Sequence, residues 1–407
     1  MLLAAVVALL FAPAGGQAAA ASPKCDLMRG QATRGSSAAG LFVIDAGSGR
    51  VLCRRAARKS RILASNTKLF TTATALGVFG AQGRLRTRLL RNGPVDRRGV
   101  LRGSLFLEGG GDPALGSPAF YDRFTGLGTN LFGLRVKARR AGIRRVTGRL
   151  FADDTVFDRL RGVADSSYAT SPWVGPLSGL AFNSGHKSSG GGSFASDPAR
   201  VAARKLARSM RKAGISISPQ VGVRKAPSRS GVVGVVRSPT MADLVERTNV
   251  VSDNFFAEML VKAIGARFGG GGTTGAGTKV VERFARRHGS AVQAVDGSGL
   301  TRSNRASPAQ VGRFLAAMRR DPAWPAFLDS LAVAGREGTV DHRMEGTPAA
   351  GRCRVKTGTL SGVSALSGYC LARTGRTIAF SALMNGVYDL SAAHRGQDRI
   401  AAIAARY

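Results

Sequence analysis

Acidic residues are scarce in this 407-residue chain. Asp and Glu number 24 against 60 Lys and Arg, a formal net charge of +36 at pH 7. A compact state carrying that excess repels itself and attracts anions. Nucleic acid, an anionic wall polymer and an acidic membrane surface all fit on charge alone. Aromatic residues are only 6% of the chain and are sparse among the basic runs, which argues against stacking on nucleic acid. Beyond the N-terminus no stretch of about 18 apolar residues occurs, which excludes a multi-span membrane protein. No Cys-x-x-Cys occurs. The four histidines (His186, His288, His342, His394) are scattered without metal-ligand spacing, so no metal and no cofactor is implied. Surface positions are expected for all four. No internal repeat is visible, and the composition fits neither a collagen nor a coiled coil.

What is present points to a globular enzyme-sized chain. At about 150 residues per domain the length allows two or three domains. Residues 1–22 hold an apolar run from Leu2 to Phe11, then Pro13, Gly15-Gly16 and an Ala-x-Ala pattern at Ala18–Ala20. That reads as a secretory signal peptide and places the protein outside the cytoplasm, in the periplasm or the extracellular wall, although no Lys or Arg precedes the run. The four cysteines agree, since an even count in an exported chain suggests disulfides. Arg352–Leu360 and Val363–Ala372 are strand-like runs around the two-residue turn Ser361-Gly362. A hairpin centred there sets Cys353 opposite Cys370 in a non-hydrogen-bonded pair, where Cα atoms are about 4.5 Å apart. A disulfide fits that spacing. Cys25–Cys53 follows by elimination.

The chain begins β and helical, changes character, then returns to helices and strands. Gly40–Asp45 and Arg50–Arg54 flank the Gly-rich turn at Ala46–Gly49. A helix is expected from Ser65, with Leu69, Ala73 and Leu76 at helical spacing. Residues 84–238 are Gly- and Arg-rich, with strand-like pieces at Ser104–Glu108 and Arg149–Ala152. They also hold a loop at Ser184–Ser196 and a helix at Pro198–Ala213. Basic pieces such as Lys137–Arg145 read as solvated helix faces. Helices are expected at Met241–Arg247, Asn254–Arg267 and Thr278–Arg287. Strands follow at Arg352–Leu360, Val363–Ala372 and Thr377–Asn385, and a last helix at Leu390–Ala405.

Three short motifs occur in order: Ser65-Asn66-Thr67-Lys68, Ser252-Asp253-Asn254 and Lys356-Thr357-Gly358-Thr359. Each alone is weak; their contexts give them force. Ser65 and Lys68 share a helix face. The second motif approaches a helix, and the third lies in a strand. This is the layout of serine enzymes that act on penicillins and D-Ala-D-Ala peptides. A serine hydroxyl needs a nearby base, and Lys68 can serve once a dry site and a second cation, Lys356, favour loss of its proton. Lys356 would also attract a substrate carboxylate, with Thr357 and Thr359 hydroxyls donating to it. Ser252 can relay a proton to the leaving group, and Asn254 offers its amide to the substrate backbone. Backbone N–H groups of Ser65 and Thr359 are the expected oxyanion hole. Gly358 would let a substrate backbone approach the strand edge.

At these residues the chain resembles the D-alanyl-D-alanine carboxypeptidase/endopeptidase family, the low-molecular-mass penicillin-binding proteins with a large insertion. Gly109-Gly110-Gly111-Asp112-Pro113, Asp153-Asp154-Thr155-Val156-Phe157, Asp296-Gly297-Ser298-Gly299-Leu300 and Gly338-Thr339 also match. Leu63 stands where the family often has Pro. The resemblance places Asp296, Gly297, Ser298 and Gly299 near the active site, although such a sequence is more often a plain turn. The glycines at 109–111 read as a turn, since no Lys-Ser/Thr follows to make a phosphate loop. Trp173 could line a pocket between insert and core, and ordinary packing is the simpler expectation.

The resemblance implies an α/β (α+β) penicillin-recognising fold, β-lactamase-like. A five-stranded antiparallel sheet would be flanked by helices, with a separate β-rich inserted domain. Expected boundaries are 23–83 and 239–407 for the catalytic domain and 84–238 for the insert. The implied activity is serine-type D-Ala-D-Ala carboxypeptidase, with endopeptidase cleavage added, on peptidoglycan stem peptides. β-Lactams would acylate Ser65. Anionic cell-wall polymers are a further partner class, and nucleic acid is not. Two other readings compete. A class A β-lactamase shares the motifs, but no Glu-x-x-Leu-Asn occurs and 187 positions separate Ser65 from Ser252, too many for that class. A non-catalytic basic wall-binding protein rests on charge alone.

Overall fold

A computed structural model describes residues 22–407. The expected signal segment therefore lies outside the described residues, apart from Ser22. The main sheet has six strands, all antiparallel, where five were expected. Its order is Ala332–Val333, Cys353–Leu360, Val363–Leu371, Thr377–Val387, Ser36–Asp45, Val51–Arg55. The additional strand is two residues long, too short to leave a periodic signal.

Both faces of this sheet are covered, which explains the unbroken apolar run Gly40–Ile44. Phe42 and Ile44 point into one cluster with the helices Thr67–Phe79, Asn254–Phe268 and Pro308–Met318. Leu41 and Val43 point the other way, against the terminal helices Pro23–Ala32 and Leu390–Ala404. The Cys353–Leu360 hairpin turns at Ser361-Gly362, where Gly362 has φ +69°, and its register pairs Cys353 with Cys370. Those two cysteines are disulfide-bonded with Cα atoms 4.0 Å apart, and Cys25 is bonded to Cys53.

Residues 86–237 build a second sheet, ordered Val221–Val223, Leu150–Asp153, Ser104–Glu108, Arg86–Asn92, Gly231–Arg237. It is a mixed sheet. Leu150–Asp153 pairs in parallel with both neighbours. Parallel pairs need long crossovers, and helices Gly133–Arg140 and Pro198–Lys212 pack on this sheet through Leu134, Ala138, Ala202, Leu206 and Met210. The basic stretch 137–145 is helical only to Arg140. The Ser184–Ser196 loop contains a small hairpin, His186–Ser188 with Gly191–Phe194.

The insert is not separate from the catalytic core. Ala114, Phe157, Val163, Val174, Leu177 and Ala181 share one buried cluster with Phe70, Phe256 and Leu260. These residues come singly between Gly and Pro signals, so no periodicity exposes their common destination. The histidines also depart from expectation. Only His342 is exposed, and His288 is half-buried with Nε2 2.9 Å from Asp321.

Candidate active site

Ser65 lies in a 3-10 turn, Ala64–Asn66, and the α-helix proper starts at Thr67 and runs to Phe79. The helix expected from Ser65 thus opens with a tighter turn. Its entry is forced by Ala64 in the left-handed region, φ +46°. Every residue from Thr67 to Leu76 is buried, not only the face of Leu69, Ala73 and Leu76. The threonines manage this by bonding local carbonyls: Thr72 to Lys68 (2.6 Å) and Thr74 to Phe70 (2.7 Å).

Lys68 is fully buried and joins three segments. Its Nζ lies 2.9 Å from Ser65 Oγ and donates to Asn254 Oδ1 (2.7 Å) and to the Ser298 carbonyl (2.7 Å). Burial lowers its pKa to about 8, while Asp296, Glu258 and Asp253 pull the other way. A neutral amine there keeps two N–H groups for the two fixed acceptors and turns its lone pair to Ser65 Oγ. Lys356 is also fully buried. Burial and then the nearby Lys68 hold its pKa well below the ordinary lysine value, and among the described residues its Nζ reaches only the Thr357 carbonyl, at 3.1 Å.

Asp253 caps the helix Asn254–Phe268 by accepting from Phe256 N, and this sets Asn254 at the first helical position. Asn254 was expected to offer its amide to substrate. Its oxygen is instead taken by Lys68, and Nδ2 donates to the Trp173 carbonyl at 3.1 Å. Trp173 itself is 73% exposed, contrary to the expected packing. Ser252 occupies the left-handed region, φ +61°. Gly338, whose added Cβ would strike Val250, holds Thr339 beside the third motif, where its hydroxyl lies 2.8 Å from Thr357 Oγ1.

Gly358 is needed for a different neighbour than expected. A Cβ there would stand 2.9 Å from Ser65 N, so the room it leaves is filled by the Ser65 turn. Pairing by Ala332–Val333 stops at Val355, which leaves the Lys356–Leu360 edge open. The hairpin register makes Thr357 and Thr359 non-hydrogen-bonded positions, so their backbone N–H and C=O groups face that open edge.

Two contributors, Asn66 and Glu258, were not anticipated. Asn66 Nδ2 donates to the Lys356 carbonyl at 3.0 Å, tying the first motif to the third. Glu258, one turn beyond Asn254, accepts from Gly297 N (3.0 Å) and Ser298 N (2.7 Å). It is a lone carboxylate in the buried run Phe255–Gly265, and that mismatch was its sequence signal. Asp296 accepts from Gly299 N, Thr301 N and Asn304 Nδ2 and so shapes the loop that presents the Ser298 carbonyl. In the insert, Asp112 is a buried turn-former that accepts from Thr129 and from Ala114 N.

Burial raises the Glu258 pKa to about 8, and Asp296 adds to the rise. A carboxyl whose folded pKa is raised loses its stabilising contribution as pH climbs from about 4.5 through 8. Glu258→Gln removes that loss and keeps an acceptor for both N–H groups. The difference in unfolding temperature, variant minus parent, is therefore expected to grow between pH 5 and pH 8. A difference that stays flat over that range contradicts the assignment.

The D-Ala-D-Ala carboxypeptidase 3 (S13) family model matches residues 29–189 and 183–407. A D-alanyl-D-alanine carboxypeptidase of Actinomadura sp. is 30% identical over 450 residues, covering 90% of this chain and 81% of that protein. The carboxypeptidase DacB of Mycolicibacterium smegmatis is 27% identical over 95% of this chain and 82% of its own length. Among solved structures, penicillin binding protein 4 (dacB) from Haemophilus influenzae superposes with a TM-score of 0.78. It covers 95% of this chain and 100% of that chain at 20% identity. That likeness establishes the penicillin-binding-protein fold.

Proposed function

The chain belongs to the D-Ala-D-Ala carboxypeptidase 3 (S13) family of serine peptidases, and from that premise we propose that Ser65 is the nucleophile of an exported enzyme acting on peptidoglycan stem peptides. The observation that carries the reading is the buried Lys68 amine 2.9 Å from Ser65 Oγ. Lys68 takes the hydroxyl proton as Oγ attacks the carbonyl of the penultimate D-Ala. The oxyanion is received by backbone N–H of Ser65, in a first helical turn where such groups lack intrahelical partners, and of Thr359 on the open edge. The C–N bond breaks, Ser252 relays the proton to the leaving amine, and D-Ala departs. Water then hydrolyses the ester.

Lys356 supplies the remaining requirement. Its buried amine lacks a carboxylate partner among the described residues, and the substrate's terminal carboxylate would supply one that favours its charged form, with Thr357 and Thr359 hydroxyls donating beside it. The open Lys356–Leu360 edge can take an extended stem peptide as an added strand. Cleavage of cross-linked peptides follows if the departing amine belongs to a second stem. A β-lactam would acylate the same hydroxyl. Asn254 and the Asp296–Gly299 loop act by holding Lys68 in place. Export is supported by the two buried disulfides, which persist in oxidising compartments, and by the apolar segment 1–22. No helix among the described residues is long and apolar enough to cross a membrane.

Digestion of purified peptidoglycan tests this reading. Pentapeptides are expected to lose their terminal D-Ala and cross-linked dimers to decrease. A muropeptide profile that is unchanged, or that changes equally with Ser65→Ala, overturns it.

A further inference from the structure

A cleft of about 1040 Å³ lies between the second sheet and the far ends of the two helices that carry Lys68 and Asn254. Phe79 ends the first helix, and Ala263, Ala266 and Arg267 lie near the end of the second. At 1.5 Å per residue, Arg267 is about 20 Å along its helix from Asn254. The cleft is thus remote from the candidate active site. Its volume is at or above the upper end for small-molecule sites, about 300–1,000 Å³.

Its walls carry six cations, Arg84, Arg86, Arg88, Lys225, Arg237 and Arg267, and two carboxylates, Glu108 and Asp153. Both carboxylates are already engaged. Glu108 is paired with Arg88. Asp153 accepts from Ala226 N (2.7 Å) and from Thr155. None of the other five cations has an ion-pair partner among the described residues, and of these Arg84 donates to the Ser238 carbonyl.

The sheet supplies an internal comparison. Arg88 sits directly across from Glu108, an opposite-charge pair. Two residues away on the same face, Arg86 sits directly across from Arg237. Like charges directly opposite on neighbouring strands destabilise a sheet. A bound anion between them removes that cost. Ser230 lines the same cleft with a buried hydroxyl that has no hydrogen-bond partner.

We propose that this cleft is a binding site for an extended phosphate-bearing polyanion, with Arg86 and Arg237 gripping one phosphate group between them. Guanidinium forks match phosphate geometry, and a phosphate has enough oxygens to bridge two forks. The size of the cleft and the further cations Lys225 and Arg267 extend the site beyond a single phosphate. The role is independent of the Ser65 chemistry and gives part of the +36 charge a specific use.

Calorimetric titration of the whole protein with short linear inorganic polyphosphate tests it, with inorganic phosphate and poly-D-glutamate as comparison probes. Saturable polyphosphate binding that is tighter than either comparison probe is expected. The R86Q/R237Q variant should weaken it by about tenfold or more. It should also melt no lower than the parent, because a like-charge pair has been removed. The Arg140→Gln/Arg144→Gln variant, equal in charge but outside the cleft, should bind as the parent does. R267Q and K225Q, which also line the cleft, give a second reading that does not depend on the sheet pair. Equal weakening by the control variant overturns the site, as does no weakening by any cleft variant. Poly-D-glutamate binding as tightly as polyphosphate overturns the phosphate assignment.

Discussion

Replacing Lys68 with Met is expected to slow penicillin acylation by about 10²–10⁴-fold, the usual contribution of a positioned general base. The fold should survive. Burial lowers the Lys68 pKa from 10.5 to about 8, so the native state disfavours its charged form relative to the unfolded chain. An apolar side chain of similar length removes that penalty. Cooperative melting with no large fall in unfolding temperature is therefore predicted alongside the lost rate. The parent enzyme adds a second readout. If the neutral amine is the base, acylation rises with pH through about 8 and then levels. A rate flat from pH 6 to pH 9, or a Met variant as fast as the parent, contradicts the assignment.

The second large effect is expected at Gly299, which catalyses nothing. It adopts φ +89°, and a Cβ there would drive into the Ala64 carbonyl and stand 3.0 Å from Ser65 N. Overpacking costs about 1–3 kcal/mol, and an L-residue forced into this backbone region adds of order 1 kcal/mol or more. The loop cannot yield without moving Ser298, whose carbonyl fixes Lys68. Gly299→Ala is therefore predicted to lose both stability and most acylation. Gly270, with φ +83° and open space around it, provides the comparison. Gly270→Ala should show backbone strain without loss of acylation. Equal acylation by the two variants contradicts the account of the loop.

The residues brought together at Lys68 were legible to different degrees. Ser65, Lys68, Asn254 and Lys356 announced themselves because reactive side chains at fixed spacing are rare in combination. The Cys353–Cys370 pairing was legible because a two-residue turn fixes hairpin register, and register fixes every opposed pair. Glu258 and Asn66 were harder. One is marked only by being a lone carboxylate in an apolar run and the other looks like the filler of a motif, until tertiary packing buries both. The helix Pro308–Met318 was not anticipated, although the structure shows a Ser307–Gln310 capping box at its start. The sixth strand and the shared insert core had no local signal, since their contacts are long-range and their apolar residues isolated. Trp173 ran against ordinary expectation: its ring stays exposed while its carbonyl holds Asn254.

Intact-protein and peptide mass spectrometry after incubation with a penicillin tests the central claim most directly. One adduct of penicillin mass is predicted, on the peptide that contains Ser65, and none with Ser65→Ala. A folded preparation that takes up no adduct, or an adduct that persists in Ser65→Ala, would contradict it.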